Sequence, residues 1–441
     1  MSAEPAAVSG QPTLKRSLRY WDLVLYGLIL VQPTAPMPVF GVIYKQSDGF
    51  AVSAVLCALV AMLFTSISYG RMSRRYTEGG SAYTYVGREL HPALGYMAGW
   101  CMALDYILNP LICTIWCAKA AGNFVPGVPY VAWAIFFALL FTTLNLNGVE
   151  TSARINTMMA TALFVVVALV VVVFLRYILH MDDSSASFYT DPFYNHTFTS
   201  SALFRGTSIA VLAYIGFDGI STLSDEARDP GRSVPRAIVS TCLLTGLLVF
   251  IEVYLAQLVW PRGLAFPEID TAYVHIARHA GGAIVFAIVN GALLLATIGS
   301  GMTSQLGASR LLLAMGQDGA IPKKFFGAVS RRNRIPANNV LMIGAICLAG
   351  ALLMSYERGA ELLNYGALLA FMGVNVSSAV LGFREGRGKQ WFWILTSVLG
   401  FAVCFFIWLH LSHAAIVVGS MWAVFGIAVW ILHGRSARML A

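Results

Sequence analysis

Two apolar stretches of this chain are interrupted midway by residues that a continuous membrane helix avoids, and this limits the possible folds more than any other feature. The first runs from Trp21 to Tyr44 and contains Gln32, Pro33, Pro36 and Pro38. The second runs from Arg205 to Ala227 and contains Gly216, Phe217, Asp218 and Gly219. Backbone released from helical hydrogen bonding survives at membrane depth only where it is buried in protein or lines a polar cavity. Two such breaks, at corresponding places in two halves of a chain, point to a binding site shared between the halves. Solute transport is the leading expectation.

The rest of the chain suits that setting. Of its residues, 58% are hydrophobic and 11% charged, against about 25% charged in soluble domains. Twelve apolar stretches approach the roughly 20 residues that a bilayer requires; they cover 21–44, 51–70, 94–124, 129–146, 157–179, 205–227, 237–259, 282–305, 338–354, 361–382, 391–411 and 414–433. We number these spans 1 to 12. The expected fold is an all-α polytopic membrane protein with a single membrane domain. Spans 1–5 (residues 20–180) and spans 6–10 (204–383) form two similar halves with breaks in corresponding places. An odd number of spans per half inverts the second relative to the first. Spans 11 and 12 (390–433) are left over, as candidates for lipid contact or for a homo-oligomer interface. The tails are 1–19 and 434–441, and the longest loop, about 181–204, is expected to be flexible.

Charge sets the orientation. One side of the twelve-span scheme collects 22 Lys and Arg residues, and the opposite loops and span ends hold six. Under the positive-inside rule both termini are cytoplasmic, in a cell (inner or plasma) membrane. The net charge of +8 is then a topology signal, and no nucleic-acid partner is implied. The first 20 residues lack the order of a cleaved signal peptide, so span 1 is the first segment to insert. The seven cysteines all fall in spans, which gives no disulfide framework. Cys113 and Cys117 are one turn apart without a nearby His, which favours packing over a metal. Eight scattered histidines and no His-Glu-x-x-His run leave an enzyme without support, and no cofactor is expected.

The polar residues of the spans are the candidates for chemistry. Asp218 sits between two glycines near mid-membrane, where a carboxylate costs at least about 2.5–3.5 kcal/mol. It either meets a cation or proton in a wet cavity or caps the second half-helix, and the two roles are compatible. The first break offers only the N–H groups of Gln32, Thr34, Ala35 and Met37, because prolines donate none. That is a poor cradle for a substrate carboxylate, and it favours an amine. On span 3, Asp105 lies about 17 Å along the helix, next to Tyr106, with Asn109, Pro110 and Cys113 on the same face. A carboxylate and an aromatic ring together suit a primary ammonium; packing within the bundle is the alternative. Glu252 and Lys119 are charges in the outer half that could pair, and Glu252 is also a candidate proton carrier. Ser300, Thr303 and Ser304 of span 8 could hold Na⁺ or bond back to carbonyls. Arg74, Arg75, Glu78, Asp225, Glu226 and Arg228, beside the spans, read either as an inner gate of opposed charges or as a static solvated surface.

These residues also carry a resemblance. The chain resembles the amino acid–polyamine–organocation permeases, and among them the bacterial putrescine importers. The motifs are Gly80-Ser81-Ala82-Tyr83-Thr84-Tyr85, Gly99-Trp100 with Leu104-Asp105-Tyr106, and Gly216-Phe217-Asp218-Gly219-Ile220-Ser221 with Asp225-Glu226. Others are Pro235-Arg236-Ala237-Ile238, Ser300-Gly301-Met302, Met315-Gly316 with Asp318-Gly319, and Asn364-Tyr365-Gly366-Ala367-Leu368. The resemblance implies a LeuT-type 5+5 inverted repeat plus two peripheral helices, alternating access, and import driven by the proton motive force, with Na⁺ coupling left open. It places a small-molecule amine or amino acid at Gln32, Thr34, Tyr106, Phe217, Asp218 and Tyr365. The chain lacks the Gly-rich first break of the wider superfamily and the span 5 Lys of some proton-coupled relatives. A sensor that binds without transporting is a third expectation.

Overall fold

The computed structural model describes residues 17–77, 81–147, 153–181, 186–261, 263–317, 321–330, 335–385 and 390–437. The tail before residue 17, Glu78-Gly79-Gly80, Asp318-Gly319 and the basic residues Arg331, Arg332, Arg334, Arg387, Lys389 and Arg438 lie outside them. Among the described residues the named elements are all helical. Among the described residues nine helices are long and apolar enough to cross a membrane, and three shorter apolar ones, Tyr20–Val31, Tyr130–Leu146 and Ala337–Leu353, bring the number to the expected twelve. The protein is an all-α, multi-pass membrane protein.

The sequence breaks are breaks in the fold. Span 1 is helical over Tyr20–Val31, turns through 32–39, and resumes over Phe40–Gln46. Span 6 is α-helical over Ser200–Ala210 and tightens over Val211–Tyr214. It is extended at Ile215 and continues as a 3₁₀ helix over Phe217–Glu226. The unwinding thus falls at 215–216, slightly before the expected Gly216–Gly219, because Gly219 is already inside the second helical piece.

Packing between spans obeys an exchange rule. Span 3 packs on span 10 as span 8 packs on span 5, and span 2 on span 10 as span 7 on span 5. Span 3 meets span 4 as span 8 meets span 9, and span 1 meets span 7 as span 6 meets span 2. Spans 2 and 7, 3 and 8, and 4 and 9 touch each other directly. Replacing each span by the one five places on maps these contacts onto one another, which is what a pseudo-two-fold relation between two five-span repeats produces. The half-helices pair accordingly. Tyr20–Val31 lies against Phe217–Glu226, and Phe40–Gln46 against Ser200–Ala210, so spans 1 and 6 run antiparallel with their breaks level.

Several expectations need correcting. The span 8 helix runs over Ala272–Gln317 with non-helical angles at Gly282. The apolar pattern from 282 marks its second piece, and Arg310, expected in a connector, lies within it. The described part of the 181–204 loop, from residue 186, is held to the spans: Ser53 Oγ donates to Phe193 O at 2.6 Å and the Tyr254 hydroxyl to Tyr189 O at 3.2 Å. At the basic end, residues 17–18 run beside the end of span 6. Ser17 N and Leu18 N donate to Glu226 O, and Arg228 N donates to Leu18 O.

Candidate substrate site

Gly216 makes the turn in span 6. Its φ of 127° belongs to glycine, because a side chain at that angle is strained. The turn brings it onto span 1, where a Cβ on Gly216 would stand 3.3 Å from the N and Cα of Val31, the last helical residue before the first break. The two breaks cross in backbone contact. Gln32, which follows, has φ 68°, rare for a residue with a side chain.

The amides of the first break are largely committed. Gln32 N–H donates to Leu28 O, Ala35 N–H to Gln32 O, and Met37 N–H to Thr34 O. Three of the four N–H groups that the prolines leave are therefore closing turns, while the Thr34 side chain is buried at the junction. The second break is richer. Asp218 is 7% exposed, the amides of Gly216, Asp218 and Gly219 face its carboxylate, and Ser81 Oγ donates to its Oδ2 at 3.4 Å. The carboxylate sits at the positive end of a half-helix, where it serves the helix start and borders the junction at once.

Span 3 brings Asp105 and Tyr106 to the same place, both within Coulombic range of Asp218. The Tyr106 ring lies against span 8, 3.3 Å from where a Cβ on Gly307 would be. It also lies within electrostatic reach of Tyr26 on span 1. A ring surrounded by spans 1, 6 and 8 yet 44% exposed opens onto an internal cleft rather than onto lipid. Tyr26, and Thr303 one turn from Gly307, are exposed as well. Among the described residues neither Asp105 nor Asp218 has a cationic partner.

Other expected site residues lie elsewhere. Phe217 is fully buried, with its ring 5.8 Å from Tyr69 and 5.6 Å from Phe371; its backbone, and not its ring, borders the break. Tyr365 faces away, its hydroxyl 3.2 Å from Ser420 Oγ and its ring 5.4 Å from Trp408, so it joins span 10 to spans 11 and 12. Thr303 Oγ1 donates back to Gly299 O at 2.9 Å, Ser300 faces the Cys113 thiol, and Ser304 is half-buried. Glu252 is 1% exposed and neither carboxylate oxygen has a hydrogen-bond partner. It does not pair with Lys119, whose Nζ is 2.8 Å from Glu268 and 2.7 Å from Asp270.

The opposite end is closed. Phe40 is fully buried and packs edge-on against Tyr273 at 5.8 Å and Phe266 at 6.2 Å. A Cβ on Gly41 would overlap the carbonyl oxygen of Ile269. At the basic end Arg71 pairs with Glu385 at 2.9 Å and Arg384 with Glu89 at 2.8 Å. Arg74 and Arg75 instead end the span 2 helix, exposed. Asp225 is exposed, and Glu226 and Arg228 hold residues 17–18, the Arg228 Nε donating to Ser17 O at 3.0 Å. Ser81, Tyr26, Glu89 and Arg384 were not singled out from the sequence. Ser81 does stand in the Gly80-Ser81 motif, and Glu89 is a lone acid just before a helix start at Pro92.

Crossed broken helices around a carboxylate-lined cleft make this a carrier architecture, and the comparisons agree. Residues 42–436 match the family described as amino acid permease. The chain belongs to that family. The permease is 32% identical over 422 residues to the low-affinity putrescine importer PlaP of Escherichia coli (strain K12), which covers 94% of this chain and 92% of the relative. It is 25% identical to the branched-chain amino acid permease BcaP of Bacillus subtilis (strain 168), over 99% of this chain and 96% of the relative. It is also 23% identical to the methylthioribose transporter of the same organism, over 99% and 97%. The permease is a transporter and not an enzyme.

Proposed function

We propose that this permease imports a small organic amine, a putrescine-like diamine, by proton symport with alternating access, its basic end and both termini lying in the cytoplasm of a cell whose inner or plasma membrane it spans. The observation that carries this reading is the pairing of Asp105 and Asp218 around Tyr106 without a cationic partner. Two carboxylates and a ring face attract a substrate with two ammonium groups and repel a carboxylate. Three turn-closing amides at the first break support the same reading, since a free α-carboxylate would need them. Similarity to a putrescine importer adds to it. The close packing of Phe40 and Gly41 at the opposite end is what one half of an alternating-access cycle would look like. Asp218 and the unpaired Glu252 are the proposed proton carriers, and the positive-inside rule sets the orientation.

The runner-up, a proton-coupled amino acid permease, is favoured by the similarity to BcaP. Uptake of labelled putrescine into proteoliposomes under an imposed pH gradient, competed with diamines and with amino acids, separates the two. Competition by diamines alone supports the amine reading, and competition by α-amino acids alone sinks it. Counterflow without a gradient excludes a sensor that binds without moving solute.

A further inference from the structure

Span 3 carries charge at two levels. Asp105 lies at the crossed breaks, and Lys119 lies about 21 Å further along the helix towards the opposite end. There Lys119 borders a cavity of about 550 Å³, shared with Glu268, Asp270, Tyr130, Trp133 and Tyr356. Its Nζ stands 2.8 Å from Glu268 Oε1 and 2.7 Å from Asp270 Oδ2. Two carboxylates thus converge on one primary ammonium, in a space several times larger than that ammonium needs and bordered by three aromatic side chains. A third acid, Glu357, lies within Coulombic range of Asp270 and is bonded by Lys45 and Gln46.

A primary amine offers the carboxylates the same three N–H donors that Lys119 does, and the rings offer it cation–π contact. We propose that this cavity is a vestibular subsite for primary amines, in which the arriving ammonium takes the place of Lys119 between Glu268 and Asp270. The inference rests on the amine-transport reading. Lys119 is then a tethered occupant: it fills the cage when no amine is present and competes with amine when it is.

The test compares Lys119→Met with Asp270→Asn in proteoliposomes, following labelled putrescine taken up from the cavity side and released from the other side. Removing the competitor lowers the uptake KM about fivefold and removing the carboxylate raises it about fivefold, the scale of one partly exposed ion pair. Vmax and the KM for release stay within about twofold in both. A plain structural latch predicts changes of one sign in both variants, because breaking one ion pair from either side has the same effect. KM changes of one sign in both variants, or no change in either, overturn the proposal. Glu268→Gln, which leaves the Lys119–Asp270 pair in place, is the second carboxylate variant should Asp270→Asn fail to fold, and it too must raise KM. Failure of the amine reading is seen separately, as wild-type protein that takes up no putrescine.

Discussion

The Ser81 hydroxyl meets Asp218 Oδ2 at 3.4 Å across 137 residues of sequence. Ser81 begins the short helix Ala82–Glu89, whose far end is fixed by Glu89 to Arg384 and to the Tyr76 hydroxyl, each at 2.8 Å. That helix therefore connects the second break to the charged surface at the basic end, and the two contacts can be tested apart.

Asp218→Asn removes the charge and keeps the shape. Losing one partner of a buried charge–ammonium contact costs about 2–5 kcal/mol, so kcat/KM for putrescine uptake should fall at least about 30-fold. Ser81→Ala should cost only about 1 kcal/mol, a loss of roughly fivefold. Proteoliposome uptake measures both, and unaltered transport by Asp218→Asn would remove that residue from the mechanism.

Gly216→Ala forces a side chain onto a φ of 127° and presses a methyl group towards Val31. Strain of that kind costs about 1–3 kcal/mol, too little to unfold twelve spans but enough to distort the crossing. The variant should reach the membrane in normal amount and transport at least about fivefold slower. Normal kinetics would mean that the crossing tolerates the methyl.

At the closed end, Gly41→Ala would drive a methyl group into the Ile269 carbonyl. Backbone cannot yield as a side-chain tip can, so the half-helix Phe40–Gln46 must back away from the loop before span 8. Closure of that end is then impaired. Uptake Vmax should drop about tenfold or more, the effect of roughly 1.4 kcal/mol, with less change in KM; an unchanged Vmax would show that this close approach is dispensable.

Glu89 is 3% exposed, and Arg384 is its cationic partner. Arg384→Met leaves the buried carboxylate without that cation and still bonded by the Tyr76 hydroxyl, at a cost of about 1–3 kcal/mol. Thermal unfolding in detergent should show the loss, and Glu89→Gln added to Arg384→Met should restore part of it. A double variant no more stable than the single one would refute the pairing.

Asp270 lies between spans 7 and 8, outside both. Burial pushes its carboxyl above the usual carboxylate range, and Lys119 beside it opposes the rise only in part. A raised folded-state pKa adds stability below the unfolded value near 4, and that stability is lost as pH rises through the folded value. The stability of wild type relative to Asp270→Asn should therefore be greater at about pH 4 than at about pH 7.5. Melting curves at the two pH values check the sign, and the opposite trend would mean that Lys119 dominates the site.

Span count, the paired breaks and the candidate carboxylates were legible because each has a one-dimensional signature: apolar run length, proline, glycine, and charge inside an apolar run. Facing was harder to read. Span 10 is apolar nearly all round, so nothing in its pattern marks which side Tyr365 takes, and the family analogy turned it inward when it points to Ser420. Lys119 was matched with Glu252 because both lie in outer halves of spans. Its real partners sit on a loop that folds back over span 3, and a loop path leaves no periodic trace. Conspicuous Arg74-Arg75 drew attention from Arg71, Arg384 and Glu89, whose pairing depends on where three helix ends converge.

The hydrogen bonds between residues 17–18 and 226–228 tie the beginning of one interrupted helix to the finish of the other. Under the proposed alternation of access, a swing at the basic end would carry both pieces as a single lever, and probes fixed to Leu18 and Ala227 should keep their separation while each changes its distance to Tyr106.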